Sequence, residues 1–287
     1  MNLLNKYFKI FCIYFVILSV ICLFGCSKSD KDESIPVDYS YIINSINHRG
    51  YYTAPENTLA AFYASYQNGF TMVECDVSFT KDGYAVIIHD DFVDRTSNGA
   101  GKIGSLTLEE VRALDFGSWK SPEFTGEKIP TFEEFIALCR DFSLRPYIEI
   151  KGATAEQAKL LVNTVIDFGM NDKVTWISFS KSHLKSVLEV DLYARVGFLT
   201  NSITEESIHK AVDLRTDNNN VFINCNFRNV DSDAIEMCKN SLVPLEVWTV
   251  NEEQDILNLD PYISGVTSDM LIAGKVIYEN DHNVERK

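Results

Sequence analysis

The sequence has few basic residues and an excess of acidic ones. Lys and Arg together number 26 against 41 Asp and Glu, so the formal net charge of the 287 residues is −15. Nucleic-acid binding depends on clustered Lys and Arg that contact phosphates, so this composition argues against it. An anionic substrate would have to be attracted by a local cation or by a bound metal ion.

Cysteine motifs are also missing. The chain has seven cysteines, but none forms a CxxC pair or a cluster with histidine, so a zinc site built on thiolates is not expected. Cys75, Cys139 and Cys225 lie within apolar runs, which predicts small core residues. We predict no disulfide.

The N-terminus is typical of an export signal. Two lysines precede an apolar run from Ile10 to Phe24, which is shorter than the roughly 20 residues of a comfortable membrane span. The run ends in Leu23-Phe24-Gly25-Cys26, which resembles the lipobox of bacterial lipoproteins. That resemblance implies a signal peptide over residues 1–25 and a lipidated Cys26. An uncleaved membrane anchor is the alternative, and both interpretations put the rest of the chain outside the cytoplasm.

Residues 26–40 are polar and acidic and are interpreted as a tether, because such a composition cannot bury a core. Acidic residues after a lipidated cysteine resemble surface-export signals of some Gram-negative lipoproteins, and a solvated linker explains them equally well. The periplasmic and the surface-exposed locations therefore both stay open. Without residues 1–25, which carry two lysines and no acid, the net charge moves from −15 to −17.

Residues 41–280 alternate short apolar strands with amphipathic helices, which predicts a parallel α/β fold. The strand-like runs end near His48, Asp76, Lys151, Ser180, Leu199, Asn224, Val250 and Ser268. The helical stretches are Leu59–Gln67, Ala155–Phe168, Lys181–Glu189, Glu205–Leu214, Ser232–Lys239 and Glu252–Leu259. Eight strands over about 250 residues favour a TIM (β/α)8 barrel. A doubly wound sheet is second, because it usually has a glycine-rich phosphate loop and none is present.

One segment, about residues 77–130, interrupts the alternation after the second strand and predicts a small subdomain inserted over the barrel mouth. It begins with a hairpin whose turn is Asp82-Gly83, a strong two-residue turn signal. Thr107 opens a short helix within it, and Thr131 is the predicted N-cap of the next barrel helix.

The hairpin register brings three functional groups together. A two-residue turn at Asp82-Gly83 places Asp76 opposite His89, and directly opposed residues share a face of the sheet. Strand alternation puts Glu74 on the same face and Cys75 on the other. We therefore expect Glu74, Asp76 and His89 to converge, and Cys75 to pack in the core.

The carboxylates indicate a site for a hard divalent cation, Ca²⁺ or Mg²⁺, which prefers oxygen ligands. Glu74 and Asp76 come from one strand, and Glu149 offers a third carboxylate at another strand end. An acid within such an apolar strand is costly unless it is paired or coordinated. A structural ion pair of Glu149 with Lys151 is the alternative.

The histidines number only five, and two of them end apolar strands beside acids. His48 and His89 suit general acid–base catalysis because the pKa of an unperturbed imidazole is about 6.5. Arg49 offers a planar fork for phosphate oxygens, with a surface salt bridge as its alternative role. Metal, imidazole and guanidinium together form the equipment for cleaving a phosphodiester.

Two further segments each have two interpretations. Asn57 or Thr58 is predicted to cap a helix. For Glu56 we rank a structural role above a contact with the substrate. Trp248 and Phe179, near strand ends, are expected either to line the barrel mouth or to pack in the core. At the mouth they would contact the alcohol group, by cation–π attraction if it is cationic.

The chain resembles the glycerophosphodiester phosphodiesterase family over residues 44–275. The matching segments are His48-Arg49-Gly50, Pro55-Glu56-Asn57-Thr58, Glu74-Cys75-Asp76, Thr80-Lys81-Asp82-Gly83, His89-Asp90, Glu149-Ile150-Lys151, Val247-Trp248-Thr249-Val250-Asn251 and Gly265-Val266-Thr267-Ser268-Asp269. Met270 stands where a proline commonly follows, which affects the barrel end rather than the chemistry.

The resemblance implies a TIM barrel with an inserted subdomain and a cation held by Glu74, Asp76 and Glu149. It also implies hydrolysis of a glycerophosphodiester to glycerol 3-phosphate and an alcohol, with His48 as base and His89 as acid. Arg49 and Lys151 would hold the phosphate. Trp248 is the expected substrate contact at the barrel mouth. Water and the substrate's own glycerol hydroxyl are both possible nucleophiles.

Two other functions are compatible with the sequence. A phospholipase D-like or cyclising activity on intact lipid would be favoured by an apolar mouth, and Phe116, Trp119 and Phe124 in the inserted segment leave this alternative open. A lipoprotein that only binds its ligand is the second, although the complete set of acid, base and metal ligands argues against it. The sequence indicates neither the preferred alcohol nor the oligomeric state.

Overall fold

The structure of the protein, a computed structural model, describes residues 43–284. The predicted signal peptide, the lipidated Cys26 and the acidic tether lie outside the described residues. Within residues 43–284, no helix is both long and apolar enough to cross a bilayer.

Eight parallel strands form a closed ring over the described residues. Each strand pairs with its two neighbours in chain order, and β1 closes the ring by pairing with both β2 and β9. The ring strands are β1 (Asn44–Asn47), β2 (Met72–Phe79), β4 (Arg145–Ile150), β5 (Thr175–Ser178), β6 (Arg195–Thr200), β7 (Asn220–Asn226), β8 (Leu245–Trp248) and β9 (Ile263–Ser268). The predicted TIM barrel is confirmed, and each strand ends within a few residues of its predicted end.

Helices surround the ring. Their bounds are α1 (Leu59–Gln67), α2 (Leu108–Ala113), α3 (Phe132–Asp141), α4 (Ala155–Asp167), α5 (Lys181–Val190), α6 (Glu205–Val212), α7 (Ser232–Asn240), α8 (Glu253–Leu257) and α9 (Ala273–Val284). Short 3₁₀ turns occupy Ile103–Ser105, Pro122–Phe124 and Phe227–Asn229. Most of these helices coincide with predicted helical stretches, whereas α9 was not predicted.

Threonine side chains fix several helix starts. The Thr131 hydroxyl accepts a hydrogen bond from the backbone N–H of Glu134, and the Glu134 carboxylate accepts one from the Thr131 N–H. Helix α3 therefore begins with the predicted capping residue. At α1 the cap is Thr58, which accepts from Ala61 N–H. Asn57, the other predicted candidate, has a different role in the site described below.

Two apolar layers hold the barrel together. A large outer core lies between the strands and the helices, and Cys75, Cys139 and Cys225 are completely buried in it as free thiols, as predicted. A smaller inner core fills the ring with Ile46, Met72, Tyr147, Ile177, Leu199 and Phe222. The interior is therefore packed below the mouth rather than open as a channel.

A buried ion pair crosses the barrel interior beside this inner core. Arg195 on β6 lies 2.7 Å from Glu246 on β8 and donates a second bond of 2.8 Å to the Tyr147 hydroxyl. Gly265 leaves the space for the carboxylate, because a Cβ there would come within 2.5 Å of the Glu246 side chain. Burying these charges is tolerable because they are paired and hydrogen-bonded.

The inserted segment has a core of its own. Strand β3 (Ala85–Ile87) pairs antiparallel with β2, along the edge that β2 exposes beyond the end of β1. Under it, Val86, Ile88, Val93, Ile103, Val111, Phe116 and Ile129 form the small core. The predicted insertion after the second strand is therefore present.

The predicted hairpin register was wrong by one residue. The turn is a three-residue loop over residues 81–83. The Thr80 N–H donates to the Tyr84 carbonyl oxygen, and the Tyr84 N–H donates to the Thr80 hydroxyl. Gly83 takes φ +87° in this loop, a conformation suited to glycine. Asp76 consequently faces Ile88, whose N–H donates to the Asp76 carbonyl oxygen at 2.9 Å, and not His89.

Candidate active site

Three acidic side chains meet at the carboxyl ends of the first barrel strands. Asp76 on β2 and Glu149 on β4 are direct neighbours in the parallel register, and Glu74 precedes Asp76 by one inward position. One carboxylate oxygen of each lies within 4.8 Å of the others. Glu74 and Asp76 are buried and Glu149 is partly so. The structure thus brings together all three predicted metal ligands.

The three carboxylates oppose one another electrostatically. Burial, followed by the charge of Asp76, raises the pKa of Glu149 to about 7 and that of Glu74 well above its usual range. Burial would also raise the pKa of Asp76, but the cations of Arg49 and Lys151 outweigh it and lower that pKa. Without a further cation, Glu74 and Glu149 therefore keep their protons to a higher pH than an isolated glutamate does.

Arg49 connects the segment after β1 to this acidic group. Its backbone N–H donates to Glu74 at 3.0 Å, and its guanidinium lies 3.3 Å from Asp76 and 3.1 Å from Glu56. The residue takes φ +53° beside Gly50, where a Cβ would come within 2.5 Å of Ala61. Arg49 is mostly buried at the site, so the alternative of a surface salt bridge does not describe it.

Two residues close to these carboxylates complete the arrangement. Lys151, just after β4, lies 3.5 Å from Asp76 and 3.8 Å from Glu149. Asn57, in a left-handed conformation with φ +57°, donates from Nδ2 to Asp76 at 2.8 Å. Asn57 is therefore a support for the acidic group rather than a helix cap.

His48 is oriented by a carboxylate that the sequence analysis did not single out. Its Nδ1 lies 2.7 Å from Asp269, which also accepts a bond of 2.5 Å from Asn251. Burial would raise the pKa of Asp269, but the bonds from His48 and Asn251 outweigh burial and lower it. The contact with Asp269 fixes the orientation of the His48 ring through Nδ1 and leaves Nε2 outside this pair.

His89 is held in the same manner from the other side. Its Nδ1 lies 2.6 Å from Asp90, which accepts from Arg95 at 2.7 Å, and Arg95 forms a two-pronged contact with Glu56. Glu56 also accepts a hydrogen bond from Arg49. Its contacts with two arginines agree with the structural role that was ranked first. Burial lowers the pKa of His89, as does the charge of Arg49, although Asp76 acts in the opposite direction.

These side chains line one wall of a cavity of about 170 Å³ at the barrel mouth, here called the barrel pocket. Trp248 and Phe179 lie on the apolar side of this pocket, with their rings edge to face and the ring centroids 6.0 Å apart. Of the two positions expected for them, mouth and core, both residues take the position at the mouth. The complete lining is His48, Arg49, Glu74, His89, Glu149, Lys151, Ile177, Phe179, Leu199, Asn224, Trp248 and Thr267. The pocket therefore has a charged wall and an apolar wall.

A second depression, here called the outer groove, also borders His48 and Arg49. Tyr52, Trp119 and Lys120 line it together with part of the loop after β9. Of the three aromatic residues that favoured a lipid substrate, Phe116 is buried in the small core and only Trp119 contributes to this groove.

Comparison with known proteins identifies the family of this chain. The model of the glycerophosphoryl diester phosphodiesterase family matches residues 48–271, which include every residue placed in the site above. The chain belongs to this family. It is therefore an enzyme of the phosphoric diester hydrolase class.

Two curated relatives in the family show how far the likeness extends. A glycerophosphodiester phosphodiesterase of Caldanaerobacter subterraneus subsp. tengcongensis is 34% identical over 215 residues, covering 74% of this chain and 87% of its own length. Human glycerophosphodiester phosphodiesterase 1 is 40% identical over 129 residues, which is 44% of this chain and 39% of the human protein.

Solved structures extend the comparison to the fold. A phosphodiesterase from Oleispira antarctica, in complex with the product sn-glycerol-3-phosphate, superposes with TM-score 0.73 at 27% identity, covering 85% of this chain and 98% of that one. A family member from Silicibacter pomeroyi gives TM-score 0.72 at 20% identity, over 83% of this chain and 94% of the other, and supports the fold alone.

Proposed function

We propose that this chain hydrolyses glycerophosphodiesters to glycerol 3-phosphate and an alcohol, using a divalent cation and acid–base catalysis by two histidines. The observation that carries the proposal is the buried group of Glu74, Asp76 and Glu149 between two carboxylate-bound imidazoles. The product bound by the Oleispira phosphodiesterase supports the same substrate class.

The residues present fit a hard divalent cation. Asp76 Oδ1 is buried and accepts no hydrogen bond among the described residues, and its ion pair with Lys151 is 3.5 Å long, so the oxygen is open to a further ligand. Glu74, Asp76 and Glu149 supply only oxygen donors, which suits Ca²⁺ or Mg²⁺. When bound there, the cation would stabilise negative charge on the phosphoryl oxygens.

The protein groups then divide the remaining work. Arg49 and Lys151 place two cations beside the carboxylates, where they would hold the phosphate of the diester. Asp269 keeps Nδ1 of His48 protonated, so Nε2 can remove a proton from the nucleophile. His89 would donate a proton to the departing alcohol, and a bound phosphate anion would favour its protonated form.

The first test is a panel of glycerophosphodiesters assayed after EDTA treatment and again with Ca²⁺ or Mg²⁺ restored. Release of glycerol 3-phosphate should disappear with EDTA and return with the cation. His48→Ala should lower kcat by about 100-fold or more, whereas His209→Ala, on the exposed face of α6, should not. Activity that resists both EDTA and His48→Ala would refute the proposal.

The products distinguish the other functions. Choline release that leaves a cyclic lipid phosphate would favour the activity on intact lipid, and turnover of added cyclic glycerol phosphate would favour attack by the glycerol hydroxyl. Binding of glycerophosphocholine without any turnover would indicate a binding lipoprotein.

A substrate with a good leaving group separates the two histidines. Glycerol phosphate esterified to p-nitrophenol releases a phenolate that needs no proton. With this substrate His89→Ala should recover most of its activity, while His48→Ala should stay defective. Equal defects of the two variants on both substrates would contradict the assignment of base and acid.

We further propose that the chain is lipid-anchored through Cys26 at the cell envelope, on the composition of residues 1–40. Wild-type protein should partition with membranes and incorporate labelled fatty acid, and Cys26→Ala should lose the label. A labelled Cys26→Ala variant would refute this anchor.

A further inference from the structure

A buried polar group in the barrel pocket has no role in the chemistry described above. Asn224 on β7 is 1% exposed and lines the pocket. Its Oδ1 has no hydrogen-bond partner within residues 43–284. Buried amide oxygens in native proteins are nearly always paired, so an unpaired one at a pocket wall calls for a ligand.

The position of Asn224 relative to the charged wall is defined by the ring. β7 is the fourth strand from β2 in either direction, so Asn224 lies across the barrel from Glu74 and Asp76. The barrel pocket therefore reaches from the charged wall to Asn224. Thr267 on β9 lines the same pocket.

The surroundings of Asn224 limit what such a ligand can be. Leu199 is its direct partner in the strand register, and the indole N–H of Trp248 donates to the Asn224 backbone oxygen at 3.2 Å. On the other side the register partner is Glu246 on β8, whose carboxylate pairs with Arg195, so the Asn224 amide still presents an unpaired oxygen to the pocket. A hydroxyl group suits it, because a hydroxyl can donate to Oδ1 and accept from Nδ2.

We propose that Asn224 is a specificity-determining residue that hydrogen-bonds a hydroxyl of the glycerol arm of the substrate, opposite the bound phosphate. The proposal deepens the proposed function and rests on it for the identity of the substrate. Its physical basis is that a site with a buried hydrogen-bonding group rejects an analogue that leaves this group unpaired.

The test compares two ligands that differ only in the hydroxyl groups. Isothermal titration calorimetry with the cation-loaded full chain measures binding of sn-glycerol 3-phosphate and of propyl phosphate, which has neither hydroxyl. Asn224→Leu should weaken binding of glycerol 3-phosphate by about 10- to 100-fold. It should leave binding of propyl phosphate within about threefold.

The matched control is Asn220→Leu, the same substitution at the exposed start of the same strand, which should change neither affinity. Thermal denaturation checks that each variant folds, and Asn224→Ala replaces Asn224→Leu if the larger side chain prevents folding. An equal loss of affinity for both ligands would indicate a purely structural role and overturn the proposal.

Turnover separates this proposal from the proposed function. If the wild-type chain hydrolyses glycerophosphocholine and Asn224→Leu leaves its kcat/KM unchanged, the role of Asn224 is refuted while the hydrolysis stands. If no glycerophosphodiester is hydrolysed but binding of glycerol 3-phosphate still depends on Asn224, the hydrolysis fails and the role of Asn224 stands.

Discussion

Replacing Glu149 with glutamine is expected to stabilise the metal-free protein and to reduce the additional stability that the metal gives. In the metal-free site, burial and the neighbouring Asp76 raise the pKa of Glu149 from 4.5 to about 7. Glutamine has nearly the same shape but cannot ionise. The comparison therefore isolates the free energy of keeping this carboxylate charged.

The size and the sign of the effect follow from the two pKa values. A difference between 4.5 and about 7 corresponds to about 3 kcal/mol of native-state free energy above pH 7. Between these values the unfolded chain has released the proton while the native state keeps it. The stability of the metal-free protein therefore falls as pH rises from 4.5 through 7, and the Gln variant lacks this loss.

Urea denaturation of the full chain in EDTA, at pH 5 and pH 8, measures the difference. At pH 8 Glu149→Gln should raise the free energy of unfolding by up to about 3 kcal/mol, and at pH 5 the gain should be much smaller. Cation at one hundred times its Kd should stabilise the wild type by about 2.7 kcal/mol and the variant by less.

The exposed Glu156, at the start of α4, provides the control, because Glu156→Gln removes the same charge away from the site. It should leave both the pH dependence and the response to the cation unchanged. The reasoning fails if Glu149→Gln is less stable than the wild type in EDTA at pH 8, or if the two variants respond alike.

Two further predictions concern other residues. Asp269→Asn should lower kcat by about 100-fold or more with little change in thermal stability, since His48 would lose the partner that fixes its tautomer; an unchanged pH–rate profile with unchanged kcat would contradict this. Gly265→Ala should destabilise the fold by about 1–3 kcal/mol in urea, because its Cβ would collide with Glu246. Gly104→Ala, where a Cβ meets only ordinary contacts, is its control, and equal effects of the two would refute the explanation.

The barrel could be predicted from the sequence because its signals are local. Strand and helix periodicity repeat along the chain, and threonine caps such as Thr131 mark helix starts within four residues. The hairpin register could not be fixed in the same way. Two-residue and three-residue loops both use Asp82-Gly83, and the choice depends on Thr80, which bonds to both Asp82 and Tyr84.

The prediction that His89 approaches the carboxylates nevertheless survives the wrong register. In the observed register, strand alternation would point the His89 side chain away from the carboxylates. Strand β3 ends at Ile87, so this alternation no longer applies at His89. The support of His89 by Asp90 and Arg95 was out of reach of the sequence, because pairing between exposed loop charges leaves no periodic pattern. Asn224 was missed for a related reason, since a single polar residue in an apolar strand marks only the strand.

The separate core of the inserted segment has a consequence for how the enzyme loses activity. The carboxylates of β2 and β4 and His48 are anchored in the barrel. His89 follows Ile87, which packs in the barrel core, and Val86 and Ile88, which pack in the small core of the insertion. A partial opening of that core alone would withdraw one imidazole and leave the cation ligands in place. Hydrogen exchange should therefore show a local opening in the insertion, at lower free energy than global unfolding, that coincides with reversible inactivation.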